Sequence, residues 1–276
     1  MGKLEGKAAI VVGASSGVGY GAALRFAEEG ANVVACARRL KNLEALKEDA
    51  AARGFTGEIL PVRCDIGNEI DLDNVVAVCK EKFGHIDILA CIAQGGLNDM
   101  RDFEQTDAEN LRIFYEGGPV YTLQLIQKCL PYMKEQHYGR ILTCASGAGQ
   151  VYTPHTTAYG MAKAAIINMT RTCAQELGEY GITTNCFCPV IINDYFEQGS
   201  GGATESLPVE IMNMLSPVGY MGKAYEDGSQ ILAFLCSDEG HYINGQVINV
   251  DGAMGHTSAE TVLEGMAKMA SKTQQG

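Results

Sequence analysis

Tryptophan is missing from this chain of 276 residues, and proline occurs only 7 times. Scarce proline leaves room for long helices and central strands, whose hydrogen-bond ladders that residue interrupts. No apolar run approaches the roughly 18 residues that suggest a membrane span. The opening residues, MGKLEGKAAI, carry no secretory pattern, and Gly6 stands where a myristoylation pattern wants Ser or Thr. A cytoplasmic protein is expected. Positive charge is also short: 21 Lys and Arg against 33 Asp and Glu leave a net charge of −12. That balance argues against non-specific binding to nucleic acid or to an anionic membrane.

The ten cysteines lack ligand spacing. They stand at 36, 64, 79, 91, 129, 144, 173, 186, 188 and 236, with no CxxC pair. Cys186 and Cys188 alternate within a strand-like run, so they share a face and are expected to pack. The pattern suits a reducing compartment, with neither a disulfide framework nor a metal site.

A chain of this length, 46% hydrophobic, can bury one substantial core. Neither a repeat nor a linker divides it, and one domain over residues 1–276 is expected. Strand-like runs recur at Ala8–Val12, Asn32–Cys36, Glu58–Arg63, Ile86–Cys91, Arg140–Cys144, Thr183–Cys188 and Gln246–Asn249. Helical stretches lie at Gly17–Glu29, Leu40–Arg53, Glu69–Phe83, Ala108–Glu135, Thr157–Tyr180 and Ala224–Ser237. Their alternation predicts an α/β fold: a parallel sheet of about seven strands with helices on both faces.

The first strand runs straight into Gly13-Ala14-Ser15-Ser16-Gly17-Val18-Gly19 and then a helix. Glycines at such a junction let the backbone approach a pyrophosphate, and the helix N-terminus favours its charge. The spacing is G-x-x-x-G-x-G rather than the commoner G-x-G-x-x-G. Far downstream, Tyr159 and Lys163 stand one helical turn apart, so both project from one face. An ammonium beside a phenol favours the phenolate. Ser146, thirteen residues before Tyr159, adds a hydroxyl able to polarise a carbonyl.

With these residues in order, the chain resembles the short-chain dehydrogenase/reductase family over roughly Leu4 to Met254. The landmarks are the glycine turn, Asp65 after the third strand, the Ser146/Tyr159/Lys163 set, Pro189 after the sixth strand, and Tyr242–Asp251. The resemblance implies a doubly wound Rossmann sheet of order 3-2-1-4-5-6 with a seventh strand beyond. It also implies a homo-oligomer, tetramer favoured over dimer, joined through the long helices. The cofactor site it implies comprises Gly13, Ser15, Ser16, Gly17, Val18 and Gly19, then Cys64, Asp65 and Ile66, with Asp65 at the adenine. Ala93, Gln94 and Gly95 follow, with Tyr159, Lys163, Pro189, Val190 and Ile192 completing the set.

The second strand leads into Ala37-Arg38-Arg39, with no carboxylate to accept hydrogen bonds from a ribose 2′-hydroxyl. Arg38 and Arg39 offer guanidinium forks for a 2′-phosphate, which favours NADP(H) over NAD(H).

Three departures from the family pattern stand out. The usual Asn-Asn-Ala-Gly after the fourth strand is replaced by Cys91-Ile92-Ala93-Gln94, followed by Gly95-Gly96. The proton-relay Asn expected near position 118 gives way to Glu116-Gly117-Gly118-Pro119. Pro119 has no N–H, so a helix through it would free the Tyr115 carbonyl to hold a relay water. Val190 follows Pro189 where Gly is usual, and Asp194 stands in place of a carboxamide-holding Thr.

The expected activity is reversible reduction of a ketone to a secondary alcohol. Tyr159 serves as the acid or base, Lys163 as its neighbouring cation, and Ser146 as the hydrogen-bond donor. Tyr152 and His155 are candidates to line the substrate pocket, since their segment joins two catalytic elements. Residues 193–216 read as the family's flap over substrate, rich in glycine and carrying Tyr195 and Phe196. That flap suggests a bulky, mostly uncharged cyclic substrate, steroid- or isoflavonoid-like. The tail, residues 253–276, carries a short amphipathic pattern at Val262, Met266 and Met269. Two rival readings stand beside this one. The first is a catalytically silent NADP(H)-binding regulatory or interaction protein. The second is an enzyme using the same Tyr for dehydration or isomerisation.

Overall fold

The computed structural model describes residues 2–151, 153–192, 213 and 216–256. Five short apolar segments, β1 (Ala8–Val12), β2 (Asn32–Ala37), β3 (Ile59–Arg63), β4 (Ile88–Cys91) and β5 (Gly139–Cys144), join β6 (Ile182–Pro189) and β9 (Val247–Val250) in one parallel sheet. The order is β3-β2-β1-β4-β5-β6-β9, a seven-stranded Rossmann-like sheet. Every residue of β1 and β4 is buried, as a strand covered on both faces requires. The order reverses between β1 and β4, and ligands bind such sheets beyond the carboxyl ends of strands at this switch point.

Helices α1 (Gly17–Glu28), α2 (Leu40–Ala52) and α3 (Glu69–Phe83) follow the first three strands. Asn68 caps α3 by accepting from the Ile70 N–H, and Glu69 and Asp71 in the first turn suit the positive end of the helix dipole. Gly84, in the left-handed conformation, ends it. One core layer gathers Leu24, Phe26, Leu43 and Leu46 on one face of the sheet. The other packs Leu72, Val76, Leu125 and Ile126.

The stretch expected as one helix, Ala108–Glu135, is helical throughout but not regular. It comprises α4 (Ala108–Tyr115), a π-helical turn over Glu116–Val120, and α5 (Tyr121–Glu135). Two glycines and a proline without an N–H make the α-helical register weakest there. α6 (Thr157–Leu177) is followed by a 3₁₀ turn, and α7 (Ser229–Cys236) is preceded by a π turn over Ala224–Gly228. A small parallel pair, β7 (Ile191–Ile192) with β8 (Gly222–Lys223), was not foreseen. Two-residue strands are too short to leave a periodic pattern.

Nine of the ten cysteines are buried and all ten are free. Burial pushes the Cys79 thiol up to about 12 and Cys144 to about 11, so both stay protonated packing groups at neutral pH. Cys186 and Cys188 share a face and pack with Ile166 and Ile167. Among the described residues no helix is long and apolar enough to cross a membrane.

Tyr121 is the largest fully buried side chain, and its hydroxyl donates to the Ala93 carbonyl at 2.7 Å. That bond ties α5 to the loop after β4. Tyr121→Phe is expected to cost about 1 kcal/mol, read as a fall of a few degrees in the thermal midpoint. An unchanged midpoint would show that the bond contributes nothing.

Candidate active site

Most of the described residues singled out from sequence follow the carboxyl ends of β1 to β6, with Tyr159 and Lys163 on α6. Gly13, at φ +93, takes the turn after β1 through a conformation that side chains resist. A Cβ there would also stand 2.8 Å from the Ala93 N. The first strand and the loop after β4 therefore touch through bare backbone. Gly13→Ala is expected to destabilise the fold by about 1–3 kcal/mol and to weaken dinucleotide binding. Calorimetry with and without the dinucleotide measures both, and an unaltered melting profile would refute the close approach.

Ser16 stands at the N-cap of α1 in extended conformation, but its hydroxyl makes no capping bond and the first turn carries no acidic residue. The α3 and α4 termini differ: Asn68 and Asp107 cap them, and acidic residues occupy both first turns. The α1 terminus thus keeps donors and positive partial charge for an external anion, as a pyrophosphate site demands. Arg39 Nη2 donates to the Ser15 hydroxyl at 3.1 Å and the Ser16 hydroxyl at 2.8 Å. Arg38 and Arg39 are both exposed, and Arg39 lies against the glycine turn through these two bonds. Gly17, Val18 and Gly19 form the first turn of α1, with Val18 packed on the core. Next along the edge, Cys64 is buried while Asp65 and Ile66 are half-buried, and the Asp65 carboxylate accepts from the Gly67 N–H.

On the other side of the switch point, α6 presents Tyr159 and Lys163. The Lys163 ammonium is 5.6 Å from the centre of the Tyr159 ring. Lys163 is only 2% exposed, and its Nζ donates to the Cys144 carbonyl at 2.8 Å. That bond ties α6 to the end of β5, two residues before Ser146. The turn after Ser146 packs directly on α6: a Cβ at Gly149 would lie 2.8 Å from the Ala164 N, and one at Gly160 2.8 Å from the Ala148 carbonyl. Ser146 Oγ accepts from the Ala148 N–H at 3.3 Å, leaving its own hydrogen free to point outward. Phe114 meets the Tyr159 ring edge-on, 5.8 Å between centres and 66° between planes. Sequence alone did not single out Phe114, because an apolar residue on a helix reads as core.

His155 does not stand alone. At φ +61 it turns its Nδ1 onto the Asp102 carboxylate, and both side chains are exposed. The pair joins the loop before α4 to the loop before α6. That loop is itself braced, with Arg101 forked onto Asp99 and the buried Asn110 donating to the Asp99 carbonyl and carboxylate. Pro189 is the last residue of β6 rather than following it, Val190 comes just past the strand, both are half-buried, and the Val190 N–H donates to the Val250 carbonyl. Ile192 lies in β7. Tyr152, Tyr195, Phe196 and Asp194, nearly all of 193–216, and the tail beyond residue 256 lie outside the described residues.

Two departures from the family pattern meet in space. The Gly95 N–H donates to the Gly117 carbonyl at 2.9 Å, and a Cβ at Gly117 would stand 2.7 Å from the Gly95 Cα. The loop after β4 thus lies flush against the π turn, which requires glycine at 117 and leaves little room for a side chain at 95. Gln94 Nε2 donates to the Gly95 carbonyl at 2.7 Å and, at a long 3.5 Å, to that of Phe114. Two carbonyls of the helical stretch, those of Gly117 and Phe114, are thus engaged from the loop after β4.

Comparison with known proteins agrees with this geometry. A family model described as enoyl-(acyl carrier protein) reductase matches residues 13–255. The chain is 34% identical over 258 residues to the 3-oxoacyl-[acyl-carrier-protein] reductase FabG of Thermotoga maritima, covering 91% of this chain and 99% of that protein. It is 33% identical over 261 residues to the (2S)-[(R)-hydroxy(phenyl)methyl]succinyl-CoA dehydrogenase subunit BbsD of Thauera aromatica, covering 90% and 96%. Among solved structures it is similar to a 7α-hydroxysteroid dehydrogenase complexed with NADH and 7-oxo glycochenodeoxycholic acid. The TM-score is 0.80 at 29% identity, covering 90% of this chain and 94% of that one. YwfH, an NADPH-dependent reductase involved in bacilysin biosynthesis, gives 0.81 at 26%, covering 90% and 98%. The chain belongs to the short-chain dehydrogenase/reductase family of oxidoreductases.

Proposed function

We propose that the protein is an NADPH-dependent ketone reductase, reversible as a secondary-alcohol dehydrogenase, acting on a bulky apolar cyclic substrate. The carrying observation is the Tyr159–Lys163 pair on α6, anchored through Cys144 to the strand that presents Ser146. When bound, the nicotinamide supplies hydride to the carbonyl carbon or accepts it from the carbinol. Tyr159 gives its hydroxyl proton to the carbonyl oxygen in reduction and takes it back in oxidation. Ser146 donates its free O–H to the same oxygen as negative charge develops there. Lys163, buried beside the phenol, is the neighbouring cation and in this reading also holds the nicotinamide ribose. In this reading the α1 terminus holds the pyrophosphate, Asp65 sits at the adenine, and Arg38 with Arg39 takes the 2′-phosphate.

The solved neighbours include one bound to NADH and one described as NADPH-dependent, so likeness does not choose the cofactor; the exposed arginine pair and the missing carboxylate after β2 are what support NADPH. A steroid- or isoflavonoid-like ketone is favoured by the likeness to hydroxysteroid dehydrogenases and by Tyr195 and Phe196 in the 193–216 segment. Acyl thioesters are the competing class, given the carrier-protein and CoA relatives. A homo-oligomer is proposed through the long helices, where α5 leaves Leu123 exposed.

The test is NADPH and NADH oxidation against cyclic ketones and 3-oxoacyl thioesters side by side. Turnover of ketones with NADPH is expected. Turnover confined to thioesters would replace the substrate class. NADPH binding without turnover of any substrate would favour the silent binder, a reading motivated by the altered turn after β4 and by glycine at 118.

A further inference from the structure

Gln94 has a buried Oε1 with no hydrogen-bond partner among the described residues. Its orientation is not arbitrary. The Nε2 side faces the carbonyls of Gly95 and Phe114, which need a donor, so Oε1 must face the other way. There it meets Gly118: a Cβ at that position would stand 2.9 Å from Oε1 and 3.5 Å from the carboxamide carbon. The carboxamide of Gln94 thus fills the space that a side chain at 118 would occupy. Phe114, which accepts from Nε2, packs its ring on Tyr159. A buried acceptor of this kind is retained when something in the working site satisfies it, commonly an ordered water. A π turn beside it marks the same place, since such bulges recur at functional sites.

We infer that Gln94 is a positioning residue: from the loop after β4 it supplies the carboxamide that the helix lacks at 118, and its Oε1 anchors a proton-carrying water beside Tyr159. The inference rests on the reductase reading for its kinetic consequence. Reprotonation of Tyr159 between turnovers needs a path to solvent, and this water is one link of it. No covalent step is involved, and one proton enters for each one passed to substrate.

The experiment uses the full-length protein. A high-resolution crystal structure is expected to show a water on Gln94 Oε1, lost in Gln94→Met. In Gln94→Met, kcat is expected to fall about 10–100-fold, at or below the lower end of the 10²–10⁴ that a positioned proton transfer contributes. KM for the ketone should be unchanged, and the solvent deuterium isotope effect on kcat should rise. The reciprocal swap separates this from damaged packing. Gln94→Gly loses the same rate, and Gln94→Gly with Gly118→Asn recovers most of it by returning the carboxamide from the helix. A dry Oε1 overturns the inference, as does an unchanged kcat in Gln94→Met or a failed swap in a folded protein. If the wild-type protein turns over no substrate, the reductase reading falls, and the crystal structure alone decides whether Oε1 holds its water.

Discussion

Tyr159→Phe is expected to lower kcat by about 10²–10⁴-fold while NADPH affinity and thermal stability stay as they were. The substitution removes one hydroxyl and keeps the ring that Phe114 packs against edge-on. Lys163 keeps its bond to the Cys144 carbonyl, so the strand-to-helix anchor survives. The dinucleotide's proposed contacts lie mainly at the α1 terminus and the arginine pair, beyond the reach of this change. Steady-state turnover with the best ketone, together with NADPH fluorescence quenching, separates the two quantities. A Phe variant that still reduces ketones at the wild-type rate would remove Tyr159 from the chemistry. Loss of NADPH binding together with turnover would mean that the hydroxyl serves the cofactor.

The second large effect is on cofactor choice. Arg38→Ala is expected to weaken NADPH about 10–100-fold with NADH little changed, because hydrogen bonds to charged groups are worth about 1.5–3 kcal/mol. Arg39→Ala should behave differently. Arg39 also holds the Ser15 and Ser16 hydroxyls in the glycine turn, so its loss is expected to weaken both dinucleotides. Kd values for the two cofactors at two ionic strengths provide the measurement, since exposed charge contacts weaken with salt. Equal affinity of the wild-type protein for NADH and NADPH would overturn the assignment.

Much of the architecture was legible because its signals are local. Buried parallel strands read as continuous apolar runs, and helices between them show their own length and composition, so β1 and α3 appeared with the expected bounds. The missing carboxylate after β2 was equally plain, since a single position suffices to see it. Other features were hidden by their nature. The pairing of β7 with β8 involves two residues on each side, too few for any period. Nothing in the spacing told His155 that its partner would be Asp102, 53 positions away.

The sequence by itself determined the α/β alternation, the glycine turn at the first strand, the one-turn separation of Tyr159 from Lys163, and the arginines after β2. All of these are properties of neighbours along the chain, set by steric and hydrogen-bonding rules that act over a few residues. Only the tertiary structure decided what the two irregular segments were for. Read separately, Gln94-Gly95 and Gly117-Gly118-Pro119 each look like the loss of a family feature. Folded, they are one contact, in which paired glycines let two backbones meet at hydrogen-bond distance and the Gln94 carboxamide enters the space over Gly118. That complementarity depends on bringing together residues more than twenty positions apart, and distance in space is the quantity a linear chain does not carry.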